Sequence, residues 1–99
     1  MDDPRGFLGL IGMKEKTMPH MELGKKLASF GVAVTKDIYG NGPEEHGSAW
    51  KFPTTKYAAI IGWLAAQGFS KKKKANGATM KRGNLSVDIT PDGFLYITD

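Results

Sequence analysis

The stretch from Pro53 to Phe69 holds the longest strongly periodic apolar run in the chain, and it limits what the remaining residues can build. Tyr57, Ile60, Ile61 and Leu64 recur at i, i+3, i+4 and i+7, the spacing that lines one face of an α-helix. That face is read as core. Thr54 or Thr55 can cap the first amides, Lys56 begins the turn, and Gly68 stands where a left-handed terminating residue is wanted. At about 100° per residue, Trp63 falls off the apolar stripe. It shares a side with Lys56 and Gln67 and is expected to meet water unless an amino-terminal arm or another helix covers it.

Everything else reads as short pieces that must cover this helix. Pro19 to Phe30 forms a first amphipathic helix, with Thr17 as a cap, Pro19 in the first turn, Leu23, Leu27 and Phe30 as the apolar stripe, and Gly31 as the stop. Val32 to Tyr39 alternates at period two and is rich in β-branched residues, so it reads as a strand. Gly40 to Gly47 makes a polar loop, and Ser48 to Phe52 returns as a second strand with Trp50 and Phe52 on one inward face. Beyond the central helix, Asn76-Gly77 is a hairpin signal, so the lysines around it lie either on the arms of a basic ribbon or in a loop. Leu85 to Thr90 alternates cleanly, with Leu85, Val87 and Ile89 inward. Thr90 to Gly93 turns, and Phe94 to Thr98 closes a terminal hairpin whose edge could pair with a second copy of the chain. The expected fold is α+β: two helices on one face of a mostly antiparallel sheet of four to five strands, ordered helix, two strands, helix, two to three strands. Residues 1–18 read as a flexible or partly ordered arm and residues 19–99 as one domain.

Composition narrows the chemistry. The 99 residues contain no cysteine, which excludes disulfides, thiolate nucleophiles and cysteine-based metal centres and suits a reducing cytoplasm. Met1 to Arg5 is acidic where a secretory signal would be basic. Phe7 to Met13, the apolar run near the start, is too short to cross a bilayer. Neither a membrane span nor export is expected.

The formal net charge of +4 conceals a sharper division. Between Glu45 and Asp88 no acidic residue occurs, while Lys51, Lys56, Lys71, Lys72, Lys73, Lys74, Lys81 and Arg82 give that interval +8. The six remaining basic residues face all ten acidic ones, leaving −4 elsewhere. Such a division points to an anionic partner for the middle of the chain.

Six of these cations fall in the twelve positions from Lys71 to Arg82. They can neutralise phosphates with little demand on geometry. Lys51 and Lys56 extend the same surface, and Trp63 offers a stacking platform or an interface anchor. Glu44, Glu45 and His46 form the one acid–base cluster, but adjacent residues on a loop do not converge on an ion, and no ligand spacing accompanies them. His20 has no partner in sequence, and Ser48 and Ser70 carry no nucleophile motif. The sequence therefore predicts a non-enzymatic domain, without metal or cofactor, that contacts DNA or RNA through a basic loop with weak sequence specificity. The alternative is a protein-interaction module, such as an inhibitor or adaptor of phage or mobile-element type, docking on an acidic protein surface.

Overall fold

A computed structural model describes residues 18–36 and 40–99. The arm expected over residues 1–18 lies outside them except for Met18, as do Thr17 and residues 37–39 of the first expected strand. The described elements are helix α1 (Pro19–Lys26) continuing into a 3-10 turn (Leu27–Phe30), strands β1 (Ala33–Thr35) and β2 (Gly47–Lys51), a 3-10 turn (Thr54–Lys56) leading into helix α2 (Tyr57–Ala66), and strands β3 (Ser70–Lys74), β4 (Gly77–Arg82), β5 (Leu85–Thr90) and β6 (Phe94–Thr98). The fold is α+β, with a six-stranded antiparallel sheet in the order β1-β2-β6-β5-β4-β3.

Six strands rather than four or five form because the lysine-rich segment is a complete hairpin. Lys74 pairs with Gly77, so the two-residue loop is Ala75-Asn76, one position earlier than the Asn-Gly signal suggested. Gly77 is then a strand residue at φ +141°, and a Cβ there would overlap the Ile89 carbonyl oxygen at 2.0 Å. Lysine is a poor strand former. Cross-strand pairing with Met80 and Ala78, whose side chains are buried, overrides that preference.

Both helices cover the same face of the sheet. α1 packs on β2 and β6, and α2 on β4. The core joins Leu23 and Leu27 from the first helical segment, Ile60 and Leu64 from α2, and Trp50, Met80, Val87, Ile89, Leu95 and Ile97 from the strands. Trp50 and Phe52 are buried as their alternation implied, and Leu85 packs at the margin. A Cβ on Gly24 would lie 2.1 Å from the Trp50 ring, so only glycine lets α1 approach β2 this closely. Gly31 and Gly68 end the two helical segments at φ +84° and +94°, as expected.

Two local expectations are corrected. Neither Thr54 nor Thr55 caps α2, because the chain enters it through the 3-10 turn and Lys56 occupies the position before the helix proper. The threonines arrive one turn too early. Nor can Phe94–Thr98 offer an edge to a second copy, since β6 is paired on one side with β2 and on the other with β5. A strand with both ladders filled has no free edge. The outer strands among the described residues are β1 and β3.

Candidate functional site

Strand register sorts the cations by face. Successive side chains of a strand point to opposite sides. Lys71 and Lys73 stand opposite Met80 and Ala78 and so share the helix side of the sheet. Lys72 continues a row that crosses every strand through Thr79, Asp88, Tyr96 and Ala49 to Thr35, on the side no described helix covers. A neighbouring row places Lys81 beside Ser86 and Thr98, and Lys51 stands opposite Phe94 on the other flank. Lys74 has the same parity as Lys72. The cations of the Lys71–Arg82 segment and the two at its margin therefore do not share one surface: Lys51, Lys72, Lys74 and Lys81 lie on the open face, Lys71 and Lys73 look the other way, and Lys56 sits on the turn before α2.

Arg82 is engaged elsewhere. Its Nη1 donates to the Gln67 carbonyl oxygen at 2.7 Å, and its guanidinium lies 4.7 Å from the centre of the Phe69 ring. It thus satisfies a carbonyl just past the end of α2 and stacks on a buried aromatic. Trp63 is half-buried, edge-on to Phe30 with centroids 6.4 Å apart, so the first helical segment covers one side of the indole.

Asp88 is the carboxylate on the open face of the strands. Lys74 Nζ donates to it at 2.9 Å and Thr79 Oγ1 at 2.6 Å. Burial raises the Asp88 pKa, but the two hydrogen bonds and the Lys74 charge outweigh it and hold the group below its ordinary 3.8.

Sequence reasoning missed a buried polar network at the other end of the sheet. His20 is 0 % and Ser48 2 % exposed. Trp50 Nε1 donates to Ser48 Oγ at 2.7 Å, Ser48 Oγ lies 2.8 Å from His20 Nδ1, and His20 Nε2 lies 3.1 Å from the Glu45 carbonyl oxygen. Indole can only donate and a carbonyl can only accept. The arrangement that satisfies every group therefore has Nε2–H on His20, with Ser48 donating its hydroxyl proton to Nδ1. Ser48 and His20 are spaced like a nucleophile and its base, yet burial keeps both from any substrate, and their bonds tie α1 to β2. Partners 25 and 28 residues distant in sequence gave no local signal.

Asp99 closes this end. Its Oδ2 accepts from the His20 backbone amide at 2.9 Å in the first turn of α1, and its Oδ1 accepts from His46 Nδ1 at 3.1 Å. Burial raises its pKa, while the His20 amide, the His46 ring and the positive charge of both imidazoles when protonated bring it below 3.8. His46 and Glu45 approach at 3.7 Å on the exposed loop. No group of three or more metal-ligating side chains occurs among the described residues, and none of their helices is long and apolar enough to cross a membrane.

Fold and surface together define a small α+β domain with a lysine-bearing sheet face that no described helix covers. No family model, curated protein or solved structure matches the chain.

Proposed function

We propose that the protein is a non-enzymatic binding domain that holds nucleic acid through its phosphates, with weak sequence specificity, in the cytoplasm. The observation that carries this reading is the balance of the open face: among the described strand residues, four lysines share it with one carboxylate, Asp88, already paired with Lys74. Neutralising phosphates releases counterions and needs only such an acid-poor surface. Lysines place a backbone without reading bases, hence the weak specificity.

The test is binding of labelled single- and double-stranded DNA and RNA of equal length across a salt series. Affinity falling steeply and linearly in log–log form is expected, and each lysine contact removed lowers the slope by about 0.7 to 0.9. Absence of binding at low salt overturns the reading.

A second reading, docking on an acidic protein, draws support from α2. Ile60 and Leu64 face the core, yet Ala58, Ala59, Gly62, Ala65 and Ala66 are all exposed, so the helix is apolar on its outer side as well. Under this reading Trp63→Ala weakens binding by about 2 kcal/mol or more, as at an interface hot spot, and salt matters little.

A further inference from the structure

We infer that the ligand of the open face is single-stranded nucleic acid, whose bases stack on Phe94 and Tyr96 while Lys51, Lys72 and Lys81 follow its backbone on either flank; this rests on the nucleic-acid reading above. Phe94 is 50 % exposed, an unusual place for a phenyl ring. It stands on β6, in the interior of the sheet, directly opposite Lys51. Two residues along, Tyr96 projects from the same side. A Cβ added to Gly47 would lie 2.8 Å from Tyr96 Oη and 3.3 Å from Cζ, so the ring leans over the neighbouring strand into space that glycine leaves free. The Tyr96 side chain is half-buried there and keeps part of its ring accessible on the open face.

The spacing selects between nucleic-acid forms. Residues i and i+2 of a strand are about 6.8 Å apart, twice the ~3.4 Å separation of successive nucleotides along one strand of a duplex. Bases seated on both rings are drawn apart, as an extended strand permits and a duplex does not. A duplex also has no free base faces to offer, whereas every unpaired base has one whatever its sequence. Charge complements this arrangement. Lys51 flanks the aromatics on β2, and Lys72 and Lys81 lie beyond them on β3 and β4, the former three strands, or roughly 14 Å, from Tyr96. The face is thus an aromatic centre between two cationic margins.

Lys71 and Lys73 provide an internal control, having the same charge on the same hairpin as Lys72 and Lys81 but the opposite side of the sheet. Fluorescence anisotropy with a labelled oligothymidylate and with a duplex of equal length tests the proposal on the full chain. The single strand binds more tightly. Phe94→Ala and Tyr96→Ala each weaken its binding roughly 5- to 150-fold with the salt slope unchanged, and Tyr96→Phe, which keeps the ring, retains it. Lys72→Glu with Lys81→Glu abolishes most binding, and Lys71→Glu with Lys73→Glu leaves most of it. Circular dichroism melts confirm that each variant is folded, and the exposed Phe94 supplies the stacking test if Tyr96→Ala is not. If single-stranded binding ignores the ring substitutions, or both lysine pairs matter equally, the stacking proposal falls and the phosphate-binding reading stands. If neither form binds the unaltered protein at low salt, both fall.

Discussion

Along β6, Leu95 and Ile97 turn toward the helices and are wholly buried, while Phe94, Tyr96 and Thr98 alternate with them on the side no described helix covers and keep contact with solvent. The same five residues thus obey two sets of requirements. On the helix side each side chain is held by neighbours from several elements, so volume and polarity are tightly constrained. On the open side only β-compatibility and cross-strand pairing are required, and residues there are free to serve a ligand. An exposed phenyl and a leaning phenol on an inner strand of that side are therefore more informative than any residue of the core.

The contrast is tested first at adjacent positions. Ile97→Ala should cost about 2–5 kcal/mol in denaturant-induced unfolding, and Thr98→Ala, next to it on the open face, about 0.5 kcal/mol or less. Equal costs would show that the open face is covered in solution. Ser48→Ala should follow at about 1–3 kcal/mol, because the Trp50 indole and His20 Nδ1 both lose their partner inside the protein. Nitrogen NMR of the His20 ring should report the Nε2–H tautomer in the parent protein.

Acid should then act on both ends of the sheet. Asp88 and Asp99 both titrate below their ordinary value when folded. Their contribution is therefore full above the unfolded pKa near 3.8 and is lost as pH falls through the lower folded values. Melting temperatures across pH 5 to 2 should drop less for Asp99→Asn and Asp88→Asn than for the parent. An unchanged acid profile would remove the ionic role of both groups. The smallest effect belongs to Lys74→Ala. Its bridge to Asp88 is half-exposed on both sides, so stability should change by about 0.2–1 kcal/mol at most.

How much of this was written in local sequence differs between the two faces. The 3.6-residue period of Tyr57 to Leu64 and the two-residue period of Leu85 to Ile89 gave the elements and their inward faces, because burial against a neighbour imposes those periods directly. The Ser70–Lys74 strand carried no such mark. Its composition opposes strand formation, and only pairing with β4 decides it. Place in the sheet order was equally hidden. Phe94–Thr98 reads as half of a terminal hairpin, which it is, yet it also pairs with β2 some forty to fifty residues earlier. The lysines were found by charge, but their division between faces needed the register. His20 looked solitary because its partners come from the loop and strand of another part of the chain. Trp63 did fall off the core stripe of α2, and Phe30 then reached it from a different helical segment.

The central place of β6 also sets an order of events. β3, β4 and β5 form a meander from neighbouring residues and can close in microseconds, but β2 finds its second partner only when β6 has been made. On the ribosome, the interval between Lys51 and its partner Phe94 lasts a few seconds at about 5–20 residues per second. Until then Trp50 and Ser48 lack the strand that shelters them, and α1 has half a floor to settle on. Completing the sheet is a long-range closure, so this small protein should emerge with its basic meander folded first and its histidine-bearing end last.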